Sequence, residues 1–178
     1  MKMRIAIVVA VTAALTSQIP APASAASTSV RGAGQLRDLQ TATEQPTDHA
    51  TAQVVAVESD GATTVSLKVQ GLDHGAVGMM LGAHVHVGSC VTGNGAAAGP
   101  HYNSTGTTPT AVNEVWLDFV VAANGTGWAE ATVPFVIPAG GAGAVVIHAN
   151  ATSAGPPPAT AGPAGSAGPR WACLPVEF

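Results

Sequence analysis

Hydrophobic and polar residues alternate along two neighbouring segments of the chain, residues 51–59 and 63–70. Both segments are rich in Val and Thr, whose branched side chains favour extended backbone. Asp60 and Gly61 stand between them, and an Asp-Gly pair between alternating segments is a strong signal for a tight hairpin turn. The pattern therefore predicts two antiparallel strands joined by a hairpin.

The same alternation recurs further along the chain. It predicts strands over residues 81–87, 114–122, 127–135, 144–148 and 170–176. Asn124 and Gly125 mark a second hairpin turn, and one more strand is expected near residues 36–43. No segment after residue 25 has the period of an amphipathic helix. The chain is therefore expected to be all-β, with about eight short antiparallel strands in a sandwich or barrel.

Two long segments interrupt the strand pattern, residues 88–113 and 149–169. Both are too long for simple hairpin loops, and loops of this length are usually functional or disordered. The second consists almost entirely of Ala, Gly and Pro, a composition that also suits a flexible linker. Because it lies between two predicted strands, we expect it to run over the surface of the domain.

Residues 1–25 have the pattern of a secretory signal peptide. Lys2 and Arg4 supply a charged start, an apolar core follows, and Ala23-Ser24-Ala25 is a small-residue cleavage signature. Residues 26–48 lack a sustained period and are expected to form a partly ordered leader. Residues 49–178 then form one sandwich domain. We expect the protein to be secreted or extracytoplasmic, without a stable membrane anchor.

The charge distribution argues against one class of partner. The formal net charge is -4, and the few Lys and Arg residues are scattered. No basic stripe is available to neutralise a phosphate backbone, so nucleic acid is not expected as a partner. The oligomeric state is left open, with a monomer slightly favoured.

Cys90 and Cys173 are the only two cysteines of the chain. In an oxidising compartment an even number of cysteines favours one disulfide, and two unpaired buried thiols are the alternative. In the chain-entropy model, closing a loop of roughly 84 residues stabilises the fold by roughly 4.5 kcal/mol.

Four of the six histidines occupy informative positions. His84 and His86 are one residue apart in a predicted strand, so both imidazoles face the same side and can reach one ion. His101 lies in the first long loop, and His148 ends an apolar strand. Imidazole binds copper and zinc alike, so these residues alone do not select the metal. Histidines on a solvated strand face are the alternative interpretation.

The other notable side chains are interpreted without a functional role. His49 and His74 are expected to be exposed. The sulfur-containing and aromatic residues of the strand regions are interpreted as core packing: Met79, Met80, Trp116, Trp128 and Trp171.

The four histidines stand in segments that resemble those of copper,zinc superoxide dismutases. The resemblance covers roughly residue 51 to the C-terminus, and the matching segments keep the same order and rough spacing. They are Gly71-Leu72 with the following turn, Gly-x-His-x-His at residues 82–86, Cys90, Ala98-Gly99-Pro100-His101-Tyr102-Asn103, Val145-Val146-Ile147-His148 and Gly168-Pro169-Arg170-Trp171-Ala172-Cys173. Each segment alone is a weak signal, but their shared order is specific.

The resemblance implies a Greek-key β-sandwich or barrel with two long loops that converts superoxide to dioxygen and hydrogen peroxide with copper as its cofactor. It implies these copper ligands: His84, His86, His101 and His148. It also implies that Cys90 pairs with Cys173, and that Arg170 lies beside the copper to attract the superoxide anion. A surface position beside the disulfide is the alternative for Arg170.

The sequence departs from the family pattern at the zinc site. No histidine occurs between His101 and His148, where the resemblance requires two further zinc ligands. Glu114 and Asp118 lie in this interval, but a structural zinc site rarely relies on one shared histidine and carboxylates. We therefore expect one copper per chain and no zinc. Residues 149–169 also lack the aspartate that joins the two metal sites of the family, and the charges that steer superoxide in many relatives.

Without zinc, the second ring nitrogen of His101 needs another partner. Metal-bound histidines usually donate their other N–H to a carboxylate, carbonyl or water, so Glu114 or Asp118 could orient the ring.

Two rival functions belong to other classes. One is a protein that buffers or carries extracytoplasmic copper without turning over superoxide, which the missing steering charges favour. The other is a structural or adhesive sandwich module.

Overall fold

The computed structural model describes residues 27–153 and 163–178. The predicted signal peptide lies outside these ranges, as does part of the second long loop. Within the described ranges, no helix is long and apolar enough to cross a membrane. The regular elements there are strands and two short 3₁₀ turns, His74–Ala76 and Gly95–Ala98. The prediction of an all-β fold is confirmed.

The strands of the described residues, in chain order, are β1 (Thr28–Gln35), β2 (Arg37–Asp38), β3 (Thr51–Ser59), β4 (Ala62–Gln70), β5 (Met80–Leu81), β6 (Ala83–His86), β7 (Phe119–Val120), β8 (Thr126–Val133), β9 (Ala144–His148) and β10 (Arg170–Pro175). They form two four-stranded antiparallel sheets, ordered β1-β3-β4-β8 and β2-β10-β9-β6, and a small pair, β5-β7. The predicted hairpin joins β3 to β4. At its turn Asp60 and Gly61 have φ values of 54° and 79°, as a two-residue hairpin turn of this type requires.

The hydrophobic core lies between the two sheets. Val54 and Leu67 of the first sheet belong to the same buried cluster as Val85 and Ile147 of the second. In β3 and β4, buried and more exposed positions alternate, because only one face of that sheet is covered. Every residue of β6 and β9 is buried, so these two strands of the second sheet are covered on both faces. The histidines of β6 therefore lie on its outer face, beneath the long loops.

A second, smaller apolar cluster attaches the first long loop to this outer face. Its members are Leu39, Cys90, Ala98, Ala144, Val146 and Cys173. The disulfide between Cys90 and Cys173 joins the loop to β10, with the two Cα atoms 5.8 Å apart. The predicted pairing is confirmed, and the loop that carries His101 is fixed to the sheet at this point.

The segment expected to be a partly ordered leader, residues 26–48, supplies β1 and β2 instead. β1 pairs along its whole length with residues 51–58 of β3, and β2 pairs with β10. The alternation in β1 is weak because most of its side chains are exposed. Gly32 also lets the strand approach the C-terminal segment, since a Cβ there would lie 2.7 Å from Cγ2 of Val176. The sandwich therefore begins at residue 28, and the expected strand at residues 36–43 is reduced to two residues.

The interpretation of several strand residues as core packing was wrong. Trp128 is 63% exposed, and Met79 and Met80 are 38% and 49% exposed. Trp128 lies opposite Lys68 on the solvent face of the first sheet. Trp171 does pack against the core, whereas Trp116 lies beside the histidines.

Candidate metal centre

The four histidines converge on the outer face of the second sheet. β6 carries His84 and His86, the adjacent strand β9 ends at His148, and the first long loop brings His101 into a single-residue bridge with His86. One ring nitrogen from each histidine lies within 4.8 Å of the others, and no other His, Cys, Asp or Glu group in the described ranges has such an arrangement. Residues 64 positions apart in sequence, His84 and His148, thus share one site.

Three of these imidazoles are removed from solvent. His84 and His86 are fully buried, His148 is 3% exposed, and the side chain of His101 is 15% exposed. Burial, reinforced by the electrostatic interaction with the neighbouring His101, lowers the pKa of His86 to about 2 and places that of His84 well below its ordinary value. Burial also lowers the pKa of His148 to about 4. These rings are therefore neutral at pH 7, which is the form that binds metals.

Each ring has one nitrogen directed away from the cluster, and each such nitrogen has a protein partner. Nδ1 of His86 donates to the carbonyl of Gly99 at 3.1 Å, and Nδ1 of His148 to the carbonyl of Gly168 at 3.3 Å. Nδ1 of His101 lies 2.9 Å from Oε2 of Glu114. Nε2 of His84 lies 2.7 Å from Oγ1 of Thr152. Such outer contacts orient metal-binding imidazoles.

The four remaining nitrogens face one another. They are Nδ1 of His84 and Nε2 of His86, His101 and His148. The Nε2 atoms of His86 and His148 are 3.2 Å apart. Nδ1 of His84 is buried and has no hydrogen-bond partner, although buried polar atoms almost always have one. Four converging ring nitrogens, one of them buried without a hydrogen-bond partner, fit a copper ion, for which imidazole is a suitable ligand.

A model of the copper/zinc superoxide dismutase family matches residues 48–174. The chain belongs to this family. A solved structure with a similar fold is that of a double mutant of a SOD-like protein from Bacillus subtilis, with a TM-score of 0.57 and 20% sequence identity. The alignment covers 84% of this chain and 97% of that one. No curated protein matches the sequence.

Glu114 is the acceptor for His101 in this superoxide dismutase family member. Its side chain is 3% exposed, and it also accepts hydrogen bonds from Nε1 of Trp116 at 2.9 Å and Nδ2 of Asn103 at 3.3 Å. Burial raises the pKa of Glu114, but these hydrogen bonds, that of His101 foremost, outweigh it and hold the pKa below its ordinary value. Of the two carboxylates considered for His101, Glu114 fills the role.

Asp118 has a different partner, Thr152. Oδ1 of Asp118 accepts from Oγ1 of Thr152 at 2.5 Å, and Oδ2 accepts from the backbone N–H of Thr152 at 2.7 Å. Asp118 therefore reaches His84 through a threonine, and makes no direct hydrogen bond to His101. Thr152 belongs to the Ala/Gly/Pro-rich segment, for which the sequence offered no functional signal.

The sequence did contain a signal for the carboxylates and the tryptophan. Between residues 114 and 118, the polar and aromatic side chains Glu114, Trp116 and Asp118 alternate with the core residues Val115 and Leu117. This alternation is typical of extended backbone with one face toward the site. The predicted strand 114–122 is regular only at Phe119–Val120, but single-residue bridges pair Glu114 with Asn103 and Trp116 with His84.

Arg170 lies next to the cluster. It begins β10 and pairs with His148 across the sheet. Its Nη1 donates to the carbonyl of Gly95 at 2.7 Å, in the loop that the disulfide holds. Burial is the main cause of the lowered pKa values of His84, His86 and His148, and the positive charge of Arg170 adds a smaller contribution. The guanidinium is therefore close enough to influence the site electrostatically.

Proposed function

We propose that the protein catalyses the copper-dependent dismutation of superoxide outside the cytoplasm. Two superoxide anions and two protons would give one dioxygen and one hydrogen peroxide. The observation that carries the proposal is the set of four converging imidazole nitrogens, one of them buried and unpartnered, in a chain of this family. The predicted signal peptide at residues 1–25 supports the proposed location.

The ligands in this proposal are Nδ1 of His84 and Nε2 of His86, His101 and His148. Copper, when bound, supplies the one-electron chemistry of both half-reactions. His86 and His148 are oriented by backbone carbonyls, and His101 by Glu114. Because His101 is the most exposed of the four, its side of the cluster is the side on which solvent and a small anion approach.

Arg170 is the residue that attracts the substrate in this proposal. A guanidinium keeps its charge at every physiological pH. Superoxide is anionic, and a fixed positive charge near a site raises the local concentration of anions and their rate of association. The hydrogen bond to Gly95 holds the guanidinium in place.

We further propose that the site takes one copper per chain and that no structural zinc accompanies it. Nδ1 of His101, the atom that would face a second metal, is instead hydrogen-bonded to Glu114, and Trp116 and Asn103 donate to the same carboxylate. The interval between His101 and His148 contains no other histidine. For nitrogen ligands, copper(II) also binds more tightly than zinc.

A copper carrier or buffer is the second candidate. One observation favours it: Arg170 is the first charged residue after His148, so the second long loop offers no additional charge to guide superoxide. A carrier needs the same four imidazoles but no attraction of the substrate.

Copper content and superoxide turnover, measured on one sample of the mature protein, test the proposal. We expect one copper per chain and turnover that depends on it. Copper without turnover would identify the carrier. The absence of both copper and turnover would indicate a structural module. One equivalent of zinc after exposure to both metals would contradict the copper-only site.

A further inference from the structure

His84 differs from the other three histidines of the cluster in the nitrogen that faces inward. It presents Nδ1, whereas the others present Nε2. A neutral imidazole carries one hydrogen, so Nδ1 is free to bind a metal only when the hydrogen is on Nε2. The partner of Nε2 therefore determines whether His84 can act as a ligand.

That partner is a hydroxyl, which can either donate or accept. Oγ1 of Thr152 lies 2.7 Å from Nε2 of His84, and this contact alone is compatible with both tautomers. The second contact of the hydroxyl resolves the choice. Oγ1 of Thr152 also lies 2.5 Å from Oδ1 of Asp118, and an ionised carboxylate can only accept. The hydroxyl hydrogen is thus directed to Asp118, and its oxygen accepts from Nε2–H of His84.

We propose that Thr152 and Asp118 form a hydrogen-bonded relay that fixes the tautomer of His84 and so presents its Nδ1 lone pair to the metal. This inference rests on the proposed copper site. Thr152 and Asp118 are positioning residues in it, because they act through His84 and do not reach the cluster themselves. The relay joins three segments that are distant in sequence: β6, the extended segment before β7, and the loop after β9.

The backbone around the relay is shaped to hold Thr152 against His84. Gly82 lies two residues before His84 and donates its N–H to the carbonyl of Asn150 at 2.8 Å. A Cβ at Gly82 would lie 2.7 Å from that carbonyl oxygen and 3.1 Å from Oγ1 of Thr152. A side chain there would displace the loop, so glycine permits the close approach that the relay needs.

Two substitutions at Thr152 separate the contribution of its hydroxyl from the contribution of its side-chain shape. Thr152→Val keeps the shape and removes the hydroxyl, and Thr152→Ser keeps the hydroxyl. In the metal-free mature protein, nitrogen-15 NMR of the histidines should show one tautomer for His84 in the wild type and in Thr152→Ser, with hydrogen on Nε2. Thr152→Val should show a mixture. Its copper affinity, measured by chelator competition, should fall by about 10- to 100-fold, while Thr152→Ser stays close to wild type.

Asp118→Asn should reverse the relay. The backbone N–H of Thr152 donates to Oδ2 of Asp118. In the variant, the amide oxygen of the new side chain should therefore occupy the position of Oδ2 and accept this hydrogen bond. The NH₂ group then faces Oγ1 of Thr152 and donates to it. The hydroxyl hydrogen would then point to Nε2 of His84, which places the ring hydrogen on Nδ1. We expect this tautomer in the spectrum and a copper affinity at least as weak as that of Thr152→Val.

The outcomes separate the relay from the proposed function. A wild-type protein that binds no copper would overturn the copper site, while the spectra of the metal-free proteins would still test the relay. A wild type that binds copper, with tautomer and affinity unchanged in Thr152→Val, would overturn the relay. Thermal unfolding of the metal-free variants shows whether each one folds. If Asp118→Asn does not fold, the Val and Ser variants at Thr152 decide the question.

Discussion

Nδ1 of His101 lies 2.9 Å from Oε2 of Glu114, and this carboxylate is almost completely buried. Trp116 and Asn103 donate to it as well, so a negative charge is stabilised beside the most exposed histidine of the cluster. The resemblance to two-metal superoxide dismutases implies that zinc would take this second ring nitrogen in those relatives. In this chain the orientation of His101 therefore depends on a carboxylate, and a substitution that removes only its charge tests that dependence.

Glu114→Gln keeps the size of the side chain and removes its charge. We expect copper to remain bound and turnover to fall by about tenfold or more, since outer partners of metal ligands typically contribute that much. Glu130→Gln is the matched control, because Glu130 is exposed on β8. Turnover and copper content are measured on the same samples. Equal turnover of the two variants would show that Glu114 does not control His101.

The disulfide should stabilise the fold and the metal centre together. Cys90→Ser combined with Cys173→Ser should lower the free energy of unfolding by about 2 to 5 kcal/mol. The same change loosens the loop that supplies His101, the carbonyl of Gly99 and the carbonyl that holds Arg170, so copper affinity should fall as well. Denaturant unfolding and chelator competition measure the two effects. Unchanged copper affinity in the double variant would mean that the loop is held without the disulfide.

Features set by neighbouring residues in the sequence were predictable, such as the β3-β4 hairpin and the strand that carries His84 and His86. The hydrogen bonds between distant segments that orient the histidines were not predictable. The β3-β4 hairpin follows from an Asp-Gly turn between alternating segments, and the shared face of His84 and His86 follows from strand geometry. The contact between His84 and Thr152 joins residues 68 positions apart, and Thr152 stands in a loop whose composition resembles a linker. No local pattern indicates such a contact.

The wrong expectations for β1 and for Trp128 also arise because the sequence does not show which faces of the strands are covered. β1 contributes mainly backbone hydrogen bonds to β3, with few buried side chains, so its sequence carries little periodicity. Trp128 lies on the solvent face of the first sheet, where a hydrophobic residue is indistinguishable by type from one in the core. Side-chain chemistry predicts burial only when the covered face is known.

The buried histidines should make the metal-free protein sensitive to mild acid. His86 and His148 have folded-state pKa values of about 2 and about 4, and the pKa of His84 is also lowered. In the unfolded chain a histidine titrates near a pKa of about 6.5. As the pH falls below that value the unfolded state takes up protons first, so stability is lost, and the loss continues down to each folded-state pKa.

Between about pH 7.5 and about pH 5, each imidazole that stays neutral in the fold should cost about 2 kcal/mol of unfolding free energy. Urea unfolding of the metal-free protein at the two pH values measures this loss. His148→Leu should reduce the pH dependence, whereas changing His49 and His74 to Gln should preserve it. A free energy of unfolding that does not change over this interval would contradict the neutral, buried cluster.

Arg170 and Arg37 form a matched pair for testing the attraction of superoxide. Each donates one Nη1 hydrogen bond to a carbonyl of the first long loop, Arg170 to Gly95 at 2.7 Å and Arg37 to Cys90 at 2.8 Å. Changing either to Ala removes one positive charge and one contact with the loop. Of the two, only Arg170 lies opposite His148 and contributes to the lowered pKa values of the cluster.

If Arg170 attracts the anion, Arg170→Ala should leave copper content unchanged and lower turnover at low salt by about tenfold or more, because electrostatic steering raises association rates by that order. Its turnover should also depend less on ionic strength, since salt screens exposed charges beyond a Debye length of about 10 Å at 0.1 M. Arg37→Ala should keep both the turnover and the salt dependence of the wild type. Equal turnover in the two copper-loaded variants at low salt would mean that Arg170 serves only to anchor the loop through Gly95, and that superoxide reaches the site without its help.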